Sequence, residues 1–160
     1  MEFAEFYESA RDDCLQVVLL NVGDRQLAED LVAEAFAKAW VSWRKLRNYQ
    51  APRAWVVRAA LNANVSRWRR HRREVGLDGH DQAVPAADSG VLSGELLAAL
   101  RGLPLRQREV VTLRLLLDLD TETTARLLGI APGTVGVHLH RAAETLRSAL
   151  PHLADQEARQ

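Results

Sequence analysis

The chain has 160 residues, 48% hydrophobic and 26% charged, with 21 basic residues balanced by 21 acidic ones to a formal net charge of zero. That length holds one ordinary domain or two small ones, and the composition belongs to a folded globular protein rather than a disordered or fibrous one. A single cysteine, Cys14, excludes an internal disulfide framework; no signal-peptide pattern opens the chain and no apolar run approaches the roughly 18 residues of a membrane span. A cytoplasmic chain without membrane insertion is expected.

The zero net charge conceals a strong asymmetry. Residues 1–37 carry two arginines against nine carboxylates, net −7, whereas residues 38–74 carry eleven lysines and arginines against Glu74 alone, net +10. Such a division fits one partner that prefers an acidic surface and another that prefers a basic one, or two blocks that neutralise each other within one fold.

Phe3, Phe6, Tyr7, Leu15, Val18, Leu19 and Leu20 are spaced for helical turns facing a core, and Asn21-Val22-Gly23-Asp24 is a turn signal. A long helix is expected from about Arg25 to Arg44. In it Leu27, Leu31, Ala35 and Ala39 form one apolar line and Val32, Phe36 and Trp40 the next, while Glu29, Asp30 and Glu34 stay outside. Leu46 to Pro52 is expected to be a loop, because the residue before a proline is driven out of the α region. The helix that follows is dense in arginine, with Arg58, Asn62, Arg67, Arg69, Arg70, Arg72 and Arg73 among Trp55 and Trp68; guanidinium groups beside aromatics suit phosphate neutralisation and base stacking. Trp55 reads as core ahead of contact residue. Residues 75–92 hold Gly, Pro, Ala, Asp and Ser with no lasting periodicity and no cation, the pattern of a flexible linker.

Beyond Leu103 the chain reads as a helix-turn-helix. Pro104 suits a first helical turn, with Val110, Val111, Leu113, Leu115, Leu116 and Leu117 as an apolar stripe up to Asp118. Asp120 suits an N-cap, Gly129 a helix end and Pro132 the start of a third helix. In that third helix Val135, Leu139, Ala142, Leu146 and Leu150 share the inward face. Thr134, Gly136, Val137, His138, His140 and Arg141 are left outside, where a recognition helix carries the side chains that enter a major groove. Periodicity alone leaves an ordinary helical bundle equally open.

The wording of these segments resembles that of bacterial RNA polymerase sigma factors of the extracytoplasmic-function (ECF) class, and within it an actinobacterial subgroup. The C-terminal words are Leu103-Pro104, Arg108-Glu109-Val110, Leu119 with Ala125 and Leu128-Gly129, Gly133-Thr134-Val135 and Arg141-Ala142. The N-terminal word runs from Ala28 to Phe36, with Ala33 where the family carries glutamine. The resemblance implies an all-α fold of two small helical domains joined by a flexible linker: residues 1–74 as sigma region 2, 75–92 as the linker and 93–160 as the region 4 helix-turn-helix. It implies core RNA polymerase, promoter DNA and an anti-sigma factor as partners. Glu29, Asp30 and Glu34 are implied to dock on the polymerase clamp. Tyr49, Arg58, Asn62, Arg67, Arg69 and Arg70 are implied to meet the melted −10 element. Thr134, Gly136, Val137, His138, His140 and Arg141 are implied to read the −35 duplex. Departures occur at Leu61 and Ser66, where many members carry Arg and Asp, at Ala131, often a capping serine, and at Gly136, usually a cation. The last two predict a weak upstream contact.

Two other readings stay open. The helix-turn-helix also resembles that of LuxR-type response regulators, which would make the protein an autonomous transcription regulator; Ala33 and Gly136 would suit a sigma-like interaction module without promoter activity. Neither an enzyme nor a metal or cofactor site is expected: the histidines lack metal spacing, and no phosphate loop or nucleophile motif is present.

Overall fold

The computed structural model describes residues 1–75 and 94–151, all helix and turn, with no strand among the described residues. The expected linker lies almost wholly outside them, as do His80 and His152. The chain divides into two units, Met1–Ala87 and Asp88–Gln160.

In the first unit α1 spans Phe3–Val22, α2 Arg25–Val41, α3 Trp43–Leu46 and α4 Pro52–Val75. Glu2 and Glu5 form a reciprocal capping box at the start of α1, and its end is fixed by Gly23, whose φ of 76° is the left-handed conformation a glycine adopts at little cost. Asp24 then accepts the Leu27 amide at 3.1 Å and caps α2. The core between α1, α2 and α4 is built from Phe6, Ala10, Cys14, Val17, Leu31, Ala35, Phe36, Ala54, Val57 and Ala60, all buried. Alanines along the three helices let the backbones approach, while the aromatic rings fill the wider end. There Phe6 stacks on Trp43 with centroids 4.8 Å apart, and Tyr7 meets Phe36 edge-on at 5.0 Å.

The long helix expected to reach Arg44 stops at Val41. Ser42, at φ −99° and ψ 9°, breaks it, and Trp43 turns into the core against Phe6. Trp40, placed on the apolar line by its spacing, is instead 63% exposed, with only its edge against Phe3 at 5.0 Å. Trp55, expected as core, is half-buried.

In the second unit α5 spans Gly94–Arg101, α6 Leu105–Leu115, α7 Thr121–Leu128 and α8 Pro132–Ala149. Pro104 lies just outside α6 as its cap residue, and Asp120 caps α7 by accepting the Thr123 amide at 2.7 Å. Gly129, at φ 66°, ends α7. Val110, Leu113, Ala125, Leu128, Val135 and Ala142 form the core. The stripe assigned to α6 is too long: the helix ends at Leu115, which is 68% exposed, and Leu116 is 38% exposed. Leu115 is thus exposed within the helix and Leu116 just past it; beyond them Asp118 reverses the chain at φ 51°, a conformation that L side chains seldom adopt and that Asp tolerates better than most. Arg114 steadies this turn by donating to the Leu119 carbonyl, and Arg108 reaches the carbonyls of Arg101 and Leu103 at 3.3 and 3.1 Å to tie α6 to the preceding turn.

Candidate nucleic-acid interface

The acidic helix α2 presents Glu29 and Asp30 to solvent. Asp30 accepts a 3.0 Å hydrogen bond from the Gln26 side chain, and Glu29 lies 3.8 Å from Arg25, both loose surface arrangements that leave the carboxylates available. Glu34 differs. It accepts from Lys38 at 3.0 Å and from Arg67 of α4 at 3.2 Å, so it cross-links two helices rather than standing clear. The Lys38 ammonium first, and then Arg67, hold the Glu34 carboxyl below the usual carboxylate range against the upward pull of partial burial.

On α4, Arg58, Asn62 and Arg69 follow one line at steps of four and seven; Arg58 is half-buried and the other two are exposed. Arg67 is turned toward α2 instead. Together with Glu34, Lys38, Ser66 and Arg70, Asn62 and Arg67 line an open cleft of about 360 Å³ between the two helices. Arg69, Arg70 and Arg73 are exposed and form no ion pair among the described residues. Tyr49 stands 44% exposed in the turn between α3 and α4. One feature escaped the choice of sequence candidates: Trp68 is 55% exposed, with the Arg72 guanidinium 4.5 Å from its ring centroid. Its place in the arginine run was the available signal.

On α8 the cap residue Ala131 offers no side-chain acceptor, as its sequence implies. Gly136, Val137, His140 and Arg141 are exposed and Thr134 is half-buried. His138 is also half-buried, its Nδ1 enclosed without a hydrogen-bond partner, so it shares the outward side less fully than its neighbours. His140 Nε2 lies 3.5 Å from Glu144 one turn along. Among the described residues no group of His, Cys, Asp or Glu could hold a metal ion, and no helix is long and apolar enough to cross a membrane.

An exposed arginine-rich helix in one unit and a helix-turn-helix in the other can together neutralise phosphate and enter a groove. Comparison with known proteins gives this pairing a context. The Sigma-70 region 2 family matches residues 6–74 and the Sigma-70, region 4 family residues 93–146. The chain is 30% identical to the RNA polymerase sigma-E factor of Streptomyces coelicolor over 94% of its own length and 86% of that protein. It is 33% identical to the ECF RNA polymerase sigma factor SigL of Mycobacterium tuberculosis, over 82% of this chain and 78% of that one. Among solved structures it resembles the sigma factor RpoE from Bartonella quintana, crystallised in complex with the anti-sigma factor NepR. That match has a TM-score of 0.79 at 25% identity and covers 93% of this chain and 96% of that one.

Proposed function

The chain belongs to the RNA polymerase sigma factors of the extracytoplasmic-function class, and on that footing we propose how its surfaces divide the work of initiation. It binds core RNA polymerase and directs promoter-specific transcription. Residues 1–74 act as the region 2 domain, 75–92 as a linker and 93–160 as the region 4 domain. We assign polymerase docking to the exposed carboxylates Glu29 and Asp30, with Glu34 holding α2 against α4 behind them. Melted −10 DNA falls to Tyr49 and to the α4 line of Arg58, Asn62 and Arg69 with Arg67 and Arg70. Upstream duplex falls to Thr134, Gly136, Val137, His138, His140 and Arg141.

The observation that carries this reading is the presence of both sigma regions, in order, in one chain. A response-regulator-like protein has no use for a region 2 domain ahead of its helix-turn-helix. We read the protein as a non-enzymatic, cytoplasmic initiation subunit whose chemistry is supplied by the polymerase, and we assign it an anti-sigma partner, as the solved Bartonella relative has.

The test mixes the purified chain with sigma-free core polymerase and follows co-elution by size exclusion, beside an Asp30→Arg variant. Asp30 is exposed and, among the described residues, bonded only to Gln26 at 3.0 Å, so the reversal leaves the fold intact. The wild-type chain is expected to co-elute and the variant to run free. A chain that stays apart from polymerase yet shifts duplex DNA would favour the autonomous regulator instead.

A further inference from the structure

A helix advances about 100° per residue, and this sets which residues of α8 look outward together. Val135 and Ala142 are buried on one side; Gly133, Gly136, Val137, His140 and Glu144 are exposed on the other. In the first two turns, the part of a recognition helix that reaches deepest into a major groove, that outward side consists of two glycines and one valine. Val137 is 46% exposed, and a Cβ built on Gly133 or Gly136 meets nothing within 4 Å. Within those two turns the valine is therefore the one side chain on an open strip of helix, with bare backbone on its N-terminal side, where DNA can approach closely, and His140 and Arg141 one turn beyond it.

The chemistry of that strip is restrictive. From Pro132 to Leu139 there is no lysine, arginine, asparagine or glutamine, so the bidentate bonds that identify guanine or adenine in the major groove cannot be made there. Thr134 is half-buried, and His140 faces Glu144 at 3.5 Å. What the strip does offer is a pair of methyl groups. The major-groove edge of a base pair that answers a methyl group is the C5-methyl of thymine.

We propose that Val137 is a specificity-determining residue that selects thymine in the upstream promoter element by apolar contact with its C5-methyl group. This rests on the sigma-factor reading and adds to it the base that α8 distinguishes. Glycine at 133 and 136 serves the same contact by letting the helix settle deep enough for a short side chain to touch the base edge. Arg141, one turn on and exposed, anchors the middle of the helix to phosphate.

The experiment uses the holoenzyme reconstituted from this chain and core polymerase. Duplexes randomised in the upstream element are selected for binding, and each thymine of the winning sequence is replaced singly by deoxyuridine, which removes only the methyl group. Loss of one buried methyl contact corresponds to about three- to fourfold weaker binding. One thymine is expected to show that loss with the wild-type chain and none with Val137→Ala, which keeps its fold because the side chain is exposed. If every deoxyuridine is silent while selection succeeds, or if the loss persists undiminished in Val137→Ala, the assignment of Val137 is wrong and the sigma reading stands. If the holoenzyme does not form, or enriches no sequence, both readings are overturned together.

Discussion

Between residues 67 and 73, α4 carries five arginines, four of them exposed and without an ion pair among the described residues, while the outward strip of α8 has no cation before Arg141. The two helices therefore meet nucleic acid on different terms. The first draws its affinity from counterion release, which is strong, indifferent to sequence and weakened by salt. The second has little electrostatic hold beyond Arg141 and depends on shape and apolar fit, so it discriminates more than it anchors. A chain built this way gains from joining both modes on one polymerase, where binding of one unit raises the effective concentration of the other.

The widest gap between the units should appear when the arginines are removed. Arg69→Ala with Arg70→Ala is expected to weaken holoenzyme binding to promoter DNA by about tenfold or more at physiological salt and to lower the log–log salt slope by about two. Filter binding across a salt series reads both quantities. An unchanged slope would mean that α4 does not neutralise phosphate and that the contrast with α8 is only compositional. The opposite manipulation supplies α8 with the charge it lacks. Gly136→Lys has open space for its side chain; it is expected to raise the salt slope by about one and to stabilise α8 by up to about 1 kcal/mol, as lysine is the better helix former. Thermal melting together with the same salt series separates the two gains. A salt slope no steeper than that of the wild type would place position 136 away from phosphate.

A smaller effect tests how the two units make their turns. The first reverses the chain with Gly23 at φ 76°; the second uses Gly129 at φ 66° in the same way but also Asp118 at φ 51°. Asp118→Gly relieves a left-handed aspartate but loosens the unfolded chain, so a net stabilisation of a few tenths of a kcal/mol, and at most about 1, is expected in urea melts. A clear destabilisation would show that the Asp118 side chain holds the turn.

How far these features were legible in the sequence depends on the range over which each is decided. Gly23-Asp24, Asp120, Gly129 and Pro132 act on their own backbone, and each marks a helix boundary where expected. The inward face of α8 follows from spacing in the same way, with Val135, Ala142 and Leu150 buried and Leu139 and Leu146 half-buried. Spacing puts Trp40 on the apolar line, but the break at Ser42 leaves it out and turns Trp43 in instead. The pairing of Glu34 with Arg67 joins residues 33 apart and exists because α2 and α4 pack side by side. No pattern local to Glu34 distinguishes it from Glu29 or Asp30, which remain on the surface. The overlong stripe of α6 failed for a related reason: apolar residues crowd all round the end of the helix, and only its packing, which buries Val110, Val111 and Leu113 and leaves the still helical Leu115 exposed, decides which side faces inward.

Cys14 is buried between helices, its Sγ 3.7 Å from the Arg53 carbonyl of α4, and burial pushes its thiol up to about 12. The folded chain thus holds almost no thiolate at neutral pH, and a thiol reagent can react only in the moments when α1 lifts from α4. Because it is the sole cysteine in the sequence, the rate of its labelling is a clock for the opening of the first unit alone. Run with and without polymerase, that clock reports how firmly docking on α2 closes the helices behind it.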